Sequence, residues 1–328
     1  MSLDKKQILV TGGAGFIGSN LALQLQADYP NSKIVVLDKF RGNERLSNGS
    51  SPSLGHYKNL LGYTGEVVYG DITSADDMNK LKEQYKFDVI YHLAAISDTT
   101  AQEQDLIMET NLNSFYHIIN MALAHKAQLV YASSAATYGS AEAPQQVGIE
   151  APLNVYGYSK LMMDHLAKEY YEKGINIIGL RFFNVYGARE YFKGKSASTI
   201  LQFGLQFLEG KQPKLFVGSN TIYRDFVYIK DVVSCCLLAG SADVSGVYNV
   251  GTGIPRTFEE IYHTVRKELS LDVQPDYIEN KFTKQYQFFT QADISSTQKD
   301  LGYESKYSLE DGVADYIEEI KNVYTNEF

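Results

Sequence analysis

Short apolar runs alternate with amphipathic segments through the first half of the chain. Ile8-Leu-Val10, Ile34-Val-Val-Leu37, Glu66-Val-Val-Tyr69, Val89-Ile-Tyr-His92, Leu129-Val-Tyr131 and Ile177-Ile-Gly-Leu180 read as buried strands. Between them, Ile17, Leu21 and Leu25 recur at helical spacing, as do Leu112, Phe115, Ile119 and Leu123. Such alternation predicts a parallel sheet with helices on both faces. Beyond residue 182 the pattern becomes irregular and aromatic residues crowd in. Lys193-Gly-Lys195 and residues 213–219 read as loops, Arg224 to Val232 leads into a helix, and Val247 to Val250 reads as another strand. We therefore expect a larger part over 1–182 with segments around 225–250, and a smaller part over 183–328 interleaved with it.

Composition narrows the picture. The chain has 328 residues, enough for two domains, and its 44% apolar content is that of a water-soluble globular protein. A net charge of −9 disfavours nucleic acid and anionic membranes as partners, so an anionic ligand needs local cations and helix N-termini. No apolar run approaches the roughly 20 residues that span a bilayer. Met1-Ser-Leu-Asp-Lys-Lys lacks the apolar core of a signal peptide. Cys235 and Cys236, adjacent on a predicted helix, are poorly placed to pair and are expected to be buried. A reducing, cytoplasmic setting is expected.

The first candidate chemistry is a glycine-rich turn. Thr11-Gly12-Gly-Ala-Gly15-Phe-Ile-Gly18 follows a predicted strand and opens a predicted helix, with Asp38 lying 20 residues beyond Gly18. Gly12 permits the turn, Gly15 lets a pyrophosphate approach the backbone, and Gly18 allows helix and strand to pack closely. The helix N-terminus offers N–H donors to the phosphates. This context predicts a bound dinucleotide. Asp38 suits a ribose diol, as in NAD, while Lys39 and Arg41 suit a 2′-phosphate, so NADP is favoured and NAD stays open.

Further along, Ser134 ends an apolar run, and Tyr156 and Lys160 stand four residues apart on a predicted helix. That spacing places phenol and ammonium on one face, where Lys160 can stabilise a Tyr156 phenolate. With Ser134 bonding a sugar oxygen, the trio suits proton removal from a hydroxyl during hydride transfer to a nicotinamide. Tyr158 is expected to pack or touch cofactor. Arg224 has the fork geometry for a diphosphate, although a salt bridge with Asp225 is an alternative. His92 is expected to be a hydrogen-bonded scaffold residue. No histidine has metal-ligand spacing, and no metal is expected.

The glycine spacing and the Tyr-x-x-x-Lys helix resemble the extended short-chain dehydrogenase/reductase family, the nucleotide-sugar epimerases. That resemblance implies a Rossmann-type doubly wound α/β domain and a smaller C-terminal α/β nucleotide-sugar domain. Ala135 and Ala136 stand where the 4,6-dehydratases of that family carry an acid pair, which disfavours dehydration. Longer strings, among them Tyr131 to Gly139, Pro152 to Lys160, Arg181 to Gly187, Arg224 to Tyr228 and Phe289 to Asp293, resemble the ADP-L-glycero-D-manno-heptose 6-epimerase branch. Residues 41–65 match it less well.

By that resemblance, Tyr156 and Lys193 are two acid/base groups, assisted by Lys160 and Ser134. Gly12, Gly15, Phe16, Ile17, Gly18, Asp38, Lys39, Asp71, Ile72, Leu93, Ala94, Ala95, Ile96, Ser97, Asn111, Lys160 and Val185 hold the cofactor. Ser134, Asn184, Lys195, Gln202, Phe216, Val217, Gly218, Ser219, Arg224 and Tyr286 meet the substrate, with Lys195 and Gln202 replacing other polar types. It further implies inversion at carbon 6 of an ADP-heptose with tightly bound NADP, a product destined for lipopolysaccharide core assembly, and a homo-oligomer. A UDP-hexose 4-epimerase would share the same catalytic set. A catalytically silent dinucleotide-binding protein is the alternative of a different class.

Overall fold

The structure, a computed structural model, describes residues 2–279 and 288–327. Strand and helix alternate from the start: β1 Gln7–Thr11, α1 Phe16–Asp28, β2 Lys33–Asp38, β3 Glu66–Tyr69, α2 Ala75–Gln84 and β4 Val89–His92. There follow α3 Gln104–Met108, α4 Ser114–His125, β5 Gln128–Ser134, α5 Val155–Tyr171, β6 Ile177–Phe182 and β7 Asn184–Tyr186. Next come α6 Thr199–Leu208, β8 Lys214–Phe216, β9 Tyr223–Tyr228, α7 Ile229–Ser241, β10 Gly246–Val250 and β11 Pro255–Thr257. The chain continues with α8 Phe258–Leu269, β12 Asp276–Ile278, α9 Ser295–Leu301 and α10 Leu309–Glu327.

Seven strands pair in parallel in the order β10-β6-β5-β4-β1-β2-β3. Each predicted run of the first half is one of these strands. The inner strands carry apolar residues on both faces because both faces are covered, whereas β3, expected to be buried, lies at the sheet edge with Val67 and Tyr69 exposed. Successive side chains point to opposite faces. Ile8 and Val10 of β1 therefore join the core with α1 and α7, while Leu9 joins the core of Phe115 and Ile119 on α4 and Met163 on α5. The first core runs on without a break into Ile200 and Phe203 of α6, Ile261 of α8 and Tyr316 of α10. The strand order reverses between β1 and β4, and such a reversal opens a crevice at the carboxyl ends of the strands.

Three local readings differ from expectation. Within residues 213–219, Lys214–Phe216 forms β8, which pairs with β12. A three-residue strand is too short to print an alternation. Lys193 lies in a 3₁₀ turn, Tyr191–Ser196, broken at Gly194 by a left-handed φ of 59°. Glu109–Asn113 forms a π turn between α3 and α4, so Leu112 falls short of the regular helix its spacing suggested. Among the described residues, no helix is long and apolar enough to cross a membrane.

Candidate functional site

The glycine turn leaves β1 at the switch point. Gly12 adopts φ +69°, and a Cβ on it would come within 2.7 Å of the Ala94 nitrogen. Any other residue would be strained there and would push the loops after β1 and β4 apart. Gly15 caps α1 without a side-chain bond, so the first-turn N–H groups have no side-chain acceptor. At the end of β2 the buried Asp38 carboxylate accepts from the N–H groups of Ala14 (2.9 Å) and Phe40 (2.7 Å). Burial still pushes its pKa above the usual carboxylate range. Lys39 pairs with Asp71 at 2.9 Å, which raises the pKa of its ammonium. Arg41 turns aside and donates to the Phe192 carbonyl, so of the basic pair only Lys39 reaches the cavity wall.

A cavity of about 890 Å³ fills the crevice. The cofactor candidates Gly12, Gly15, Phe16, Ile17, Gly18, Asp38, Lys39, Asp71, Ile72, Leu93 to Ser97, Lys160 and Val185 all line it. Asn111 stands behind that wall. Its amide accepts from the Ile96 N–H (2.9 Å), donates to the Ile96 carbonyl (3.0 Å) and bonds Ser159 at 2.9 Å. It braces the Leu93–Ser97 loop because the π turn aims it at the backbone.

Opposite the glycine turn, β5 ends at Ser134, whose hydroxyl accepts from the Ala136 N–H at 3.1 Å. Asn154 caps α5 by accepting from the Gly157 N–H at 2.8 Å, which fixes the helical turn carrying Tyr156. Tyr156 and Lys160 both reach the cavity from that helix. Burial raises the Tyr156 pKa, and a hydrogen bond with Ser134 pulls it back down. Desolvation lowers Lys160 to about 8, with Asp164 acting the other way. Its ammonium donates to the Ala132 carbonyl at 2.8 Å rather than to Tyr156. His92 bonds Thr11 at 2.9 Å across β1 and β4. Burial and the nearby Lys160 lower its pKa to about 3, so it is neutral at physiological pH.

The third wall comes from the chain after β7. Asn184, Lys193 and Lys195 line it, and the Lys193 ammonium lies 5.2 Å from the Phe16 ring centre. Although Lys193 is only half-buried by area, its ammonium is enclosed enough that desolvation lowers its pKa, against the pull of Glu190. Gln202 lies outside the wall and donates to the carbonyls of Ala197 (2.8 Å) and Lys195 (3.3 Å), securing the turn. Phe216, Val217, Gly218, Ser219 and Arg224 also lie outside it. Ser219 donates to Glu259 at 2.6 Å, and Arg224 sits 5.8 Å from the ring centre of Phe258, which does line the cavity. The Asp225 carboxylate turns to the N–H groups of Thr252, Gly253 and Ala292. Tyr286 lies outside the described residues, and Tyr158 is exposed.

Two features escaped the sequence reading. Phe226 and Phe258 supply apolar walls. Beneath Ser134, buried Arg181 pairs with Asp164 at 2.9 Å and Glu150 at 2.6 Å, while Tyr131 and Ser133 also donate to Asp164. This network ties β5 to α5. An arginine and an aspartate inside apolar elements were the visible signal.

Residues 8–251 match the NAD dependent epimerase/dehydratase family. The chain belongs to that family. It is an enzyme, an NAD(P)-dependent nucleotide-sugar epimerase, and its central sheet is the Rossmann-like sheet of that family. It is similar to ADP-L-glycero-D-manno-heptose-6-epimerase from Helicobacter pylori, with 45% identity, TM-score 0.89 and 97% of each chain covered. It is also similar to UDP-glucuronic acid 4-epimerase from Bacillus cereus, in complex with UDP-glucuronic acid and NAD. There the identity is 26% and the TM-score 0.83, over 97% of this chain and 100% of that one. UDP-glucose 4-epimerase from Thermotoga maritima, at 24% identity and TM-score 0.86, shares the fold over 97% of this chain and 99% of that one.

Proposed function

We propose that the enzyme inverts carbon 6 of ADP-D-glycero-D-manno-heptose to give ADP-L-glycero-D-manno-heptose, using bound NADP. The observation that carries this reading is the 45% identity with the Helicobacter pylori heptose epimerase, which runs along 97% of both chains. Its chemical support is that Tyr156 and Lys193 face one cavity from separate elements.

The cavity suits a dinucleotide. The closely packed Gly12 turn and the uncapped start of α1 would hold the pyrophosphate, and Leu93 to Ser97 would flank it. NADP is favoured because main-chain donors already occupy Asp38, while Lys39 brings a cation to the wall. A nicotinamide held there would supply the hydride acceptor, and then the hydride donor, for carbon 6.

The chain's own groups manage the proton and the sugar. Tyr156, bonded to Ser134, takes the proton of the 6-hydroxyl as the carbonyl forms, or returns it. Buried Lys160 favours the phenolate by its charge. Lys193 serves the other face of carbon 6, and its lowered pKa brings it towards the working pH. Asn184 and Lys195 hold the heptose, with Gln202 steadying the turn. The ADP end is assigned to the side of Phe258, Arg224 and residues 216–219, where the arginine meets the diphosphate. The product then serves lipopolysaccharide core assembly. Self-association belongs to the same reading, since Tyr116, Leu123 and Tyr158 leave apolar surface exposed on α4 and α5.

Supplying ADP-D-glycero-D-manno-heptose and UDP-glucose to separate samples tests the assignment. Inversion of the heptose alone supports it. Turnover of the UDP-hexose without the heptose would contradict it, and failure to invert any nucleotide sugar would point to a silent binding protein.

A further inference from the structure

Glu190 is fully buried beside the Lys193 turn, and the mechanism above does not use it. Its carboxylate accepts from the Gly187 N–H (3.2 Å), the Ser198 hydroxyl (2.7 Å) and the Ser198 N–H (2.7 Å). Its carbonyl accepts from the Lys193 N–H at 2.9 Å. One residue thus gathers both ends of the bow that carries Lys193. Ser198 in turn caps α6 by accepting from the Leu201 N–H at 3.3 Å.

Both carboxylate oxygens face donors, so a glutamine amide could satisfy only one of them. Burial raises the Glu190 pKa above the usual carboxylate range, while the field of Lys193 and the Ser198 and Gly187 donors pull it back down. Other groups around the turn are engaged. From α10, Tyr316 faces Glu190, while Glu319 accepts from the Arg189 N–H. Arg189 donates to the Asn59 carbonyl, Arg41 donates to the Phe192 carbonyl, and the Phe192 ring stacks on His56. Lys195, on the turn itself, is exposed.

We propose that Glu190 is a positioning residue for Lys193, closing the turn that aims the ammonium into the cavity. This rests on the reading of Lys193 as an acid/base group. Removing a buried carboxylate beside a desolvated ammonium favours the neutral amine, so the lysine titrates at lower pH.

The experiment compares Glu190→Gln and Glu190→Asp, each alone and combined with Lys193→Met. Steady-state inversion of ADP-D-glycero-D-manno-heptose is followed across pH, with cofactor content and melting temperature measured alongside. Lys193→Met alone comes first, because a near-normal rate there overturns the acid/base reading itself. With that variant slow, Glu190→Gln is expected to lower kcat roughly 10–100-fold at little change in KM and to move one limb of the pH profile to lower pH. Glu190→Asp should recover part of the rate, and neither change should slow Lys193→Met further. Equal fold losses in both backgrounds, or an unmoved limb, would show Glu190 to be a structural staple only. If Glu190→Gln does not fold, the limb position in Glu190→Asp decides in the same way.

Discussion

Burial acts in opposite senses on the two ends of the α5 motif, raising the phenol and lowering the ammonium. Both shifts favour neutral groups, so the polar contacts around them decide which can carry charge. Ser134 pulls Tyr156 back down, and Asp164 pulls Lys160 back up. Replacing Tyr156 by Phe removes the proton acceptor and should slow inversion roughly 10²–10⁴-fold while cofactor stays bound, as kcat and cofactor absorbance will show. Lys193→Met should act similarly. His92 has a separate consequence. Its pKa is lowered to about 3, against 6.5 when exposed, so between those values the unfolded chain binds a proton that the folded chain refuses. Stability from this residue is complete above pH 6.5 and is lost as pH falls towards 3, by up to about 1.4 kcal/mol per pH unit. Denaturant titrations of His92→Asn should show a shallower loss over that window. At this scale Tyr156, Lys160 and Ser134 were legible because helix spacing and a strand end place them by local rules. Arg181, Asp164 and Glu190 were not, because their partners are brought together only by the fold.

Among elements, the start of α5 controls how Tyr156 meets Ser134. A Cβ on Gly157 would lie 2.4 Å from the Ala136 carbonyl oxygen, which is backbone and cannot yield cheaply. Gly157→Ala should therefore push α5 away from the end of β5, cost about 1–3 kcal/mol in stability, and lower kcat well beyond that loss of folded protein. Asn154→Ala removes only the cap, with an expected cost of about 1 kcal/mol, read from the denaturation midpoint. The strand runs were legible because parallel strands covered on both faces are rich in apolar β-branched residues, although β3 proved to be a half-exposed edge. The π turn and β8 were not. The first shifts helical register without altering composition, and the second is too short to show a period. Asn111 illustrates the result, since it braces Ile96 from behind and does not line the cavity.

At the scale of the whole molecule, the reversal in strand order sets the glycine turn and the loop after β4 face to face, and the chain beyond β7 closes the third side. Gly12→Ala should disturb all three through its contact with Ala94, and released-cofactor analysis by mass should show purified protein depleted of nicotinamide cofactor. The Rossmann-type sheet was legible from alternation, while the path of the C-terminal part was not, because its short strands and aromatic contacts carry little periodicity. Arg224 and residues 216–219, assigned to the substrate by resemblance, lie outside the cavity wall, with Arg224 against the ring of Phe258.

The proposed inversion oxidises carbon 6 of an ADP-heptose and returns the same hydride to it. The purified enzyme, given ADP-D-glycero-D-manno-heptose in deuterated water without added cofactor, tests it most directly when the product is read by NMR. The expected product is ADP-L-glycero-D-manno-heptose carrying protium at carbon 6. Deuterium at that carbon, or no inversion of the heptose, would contradict it.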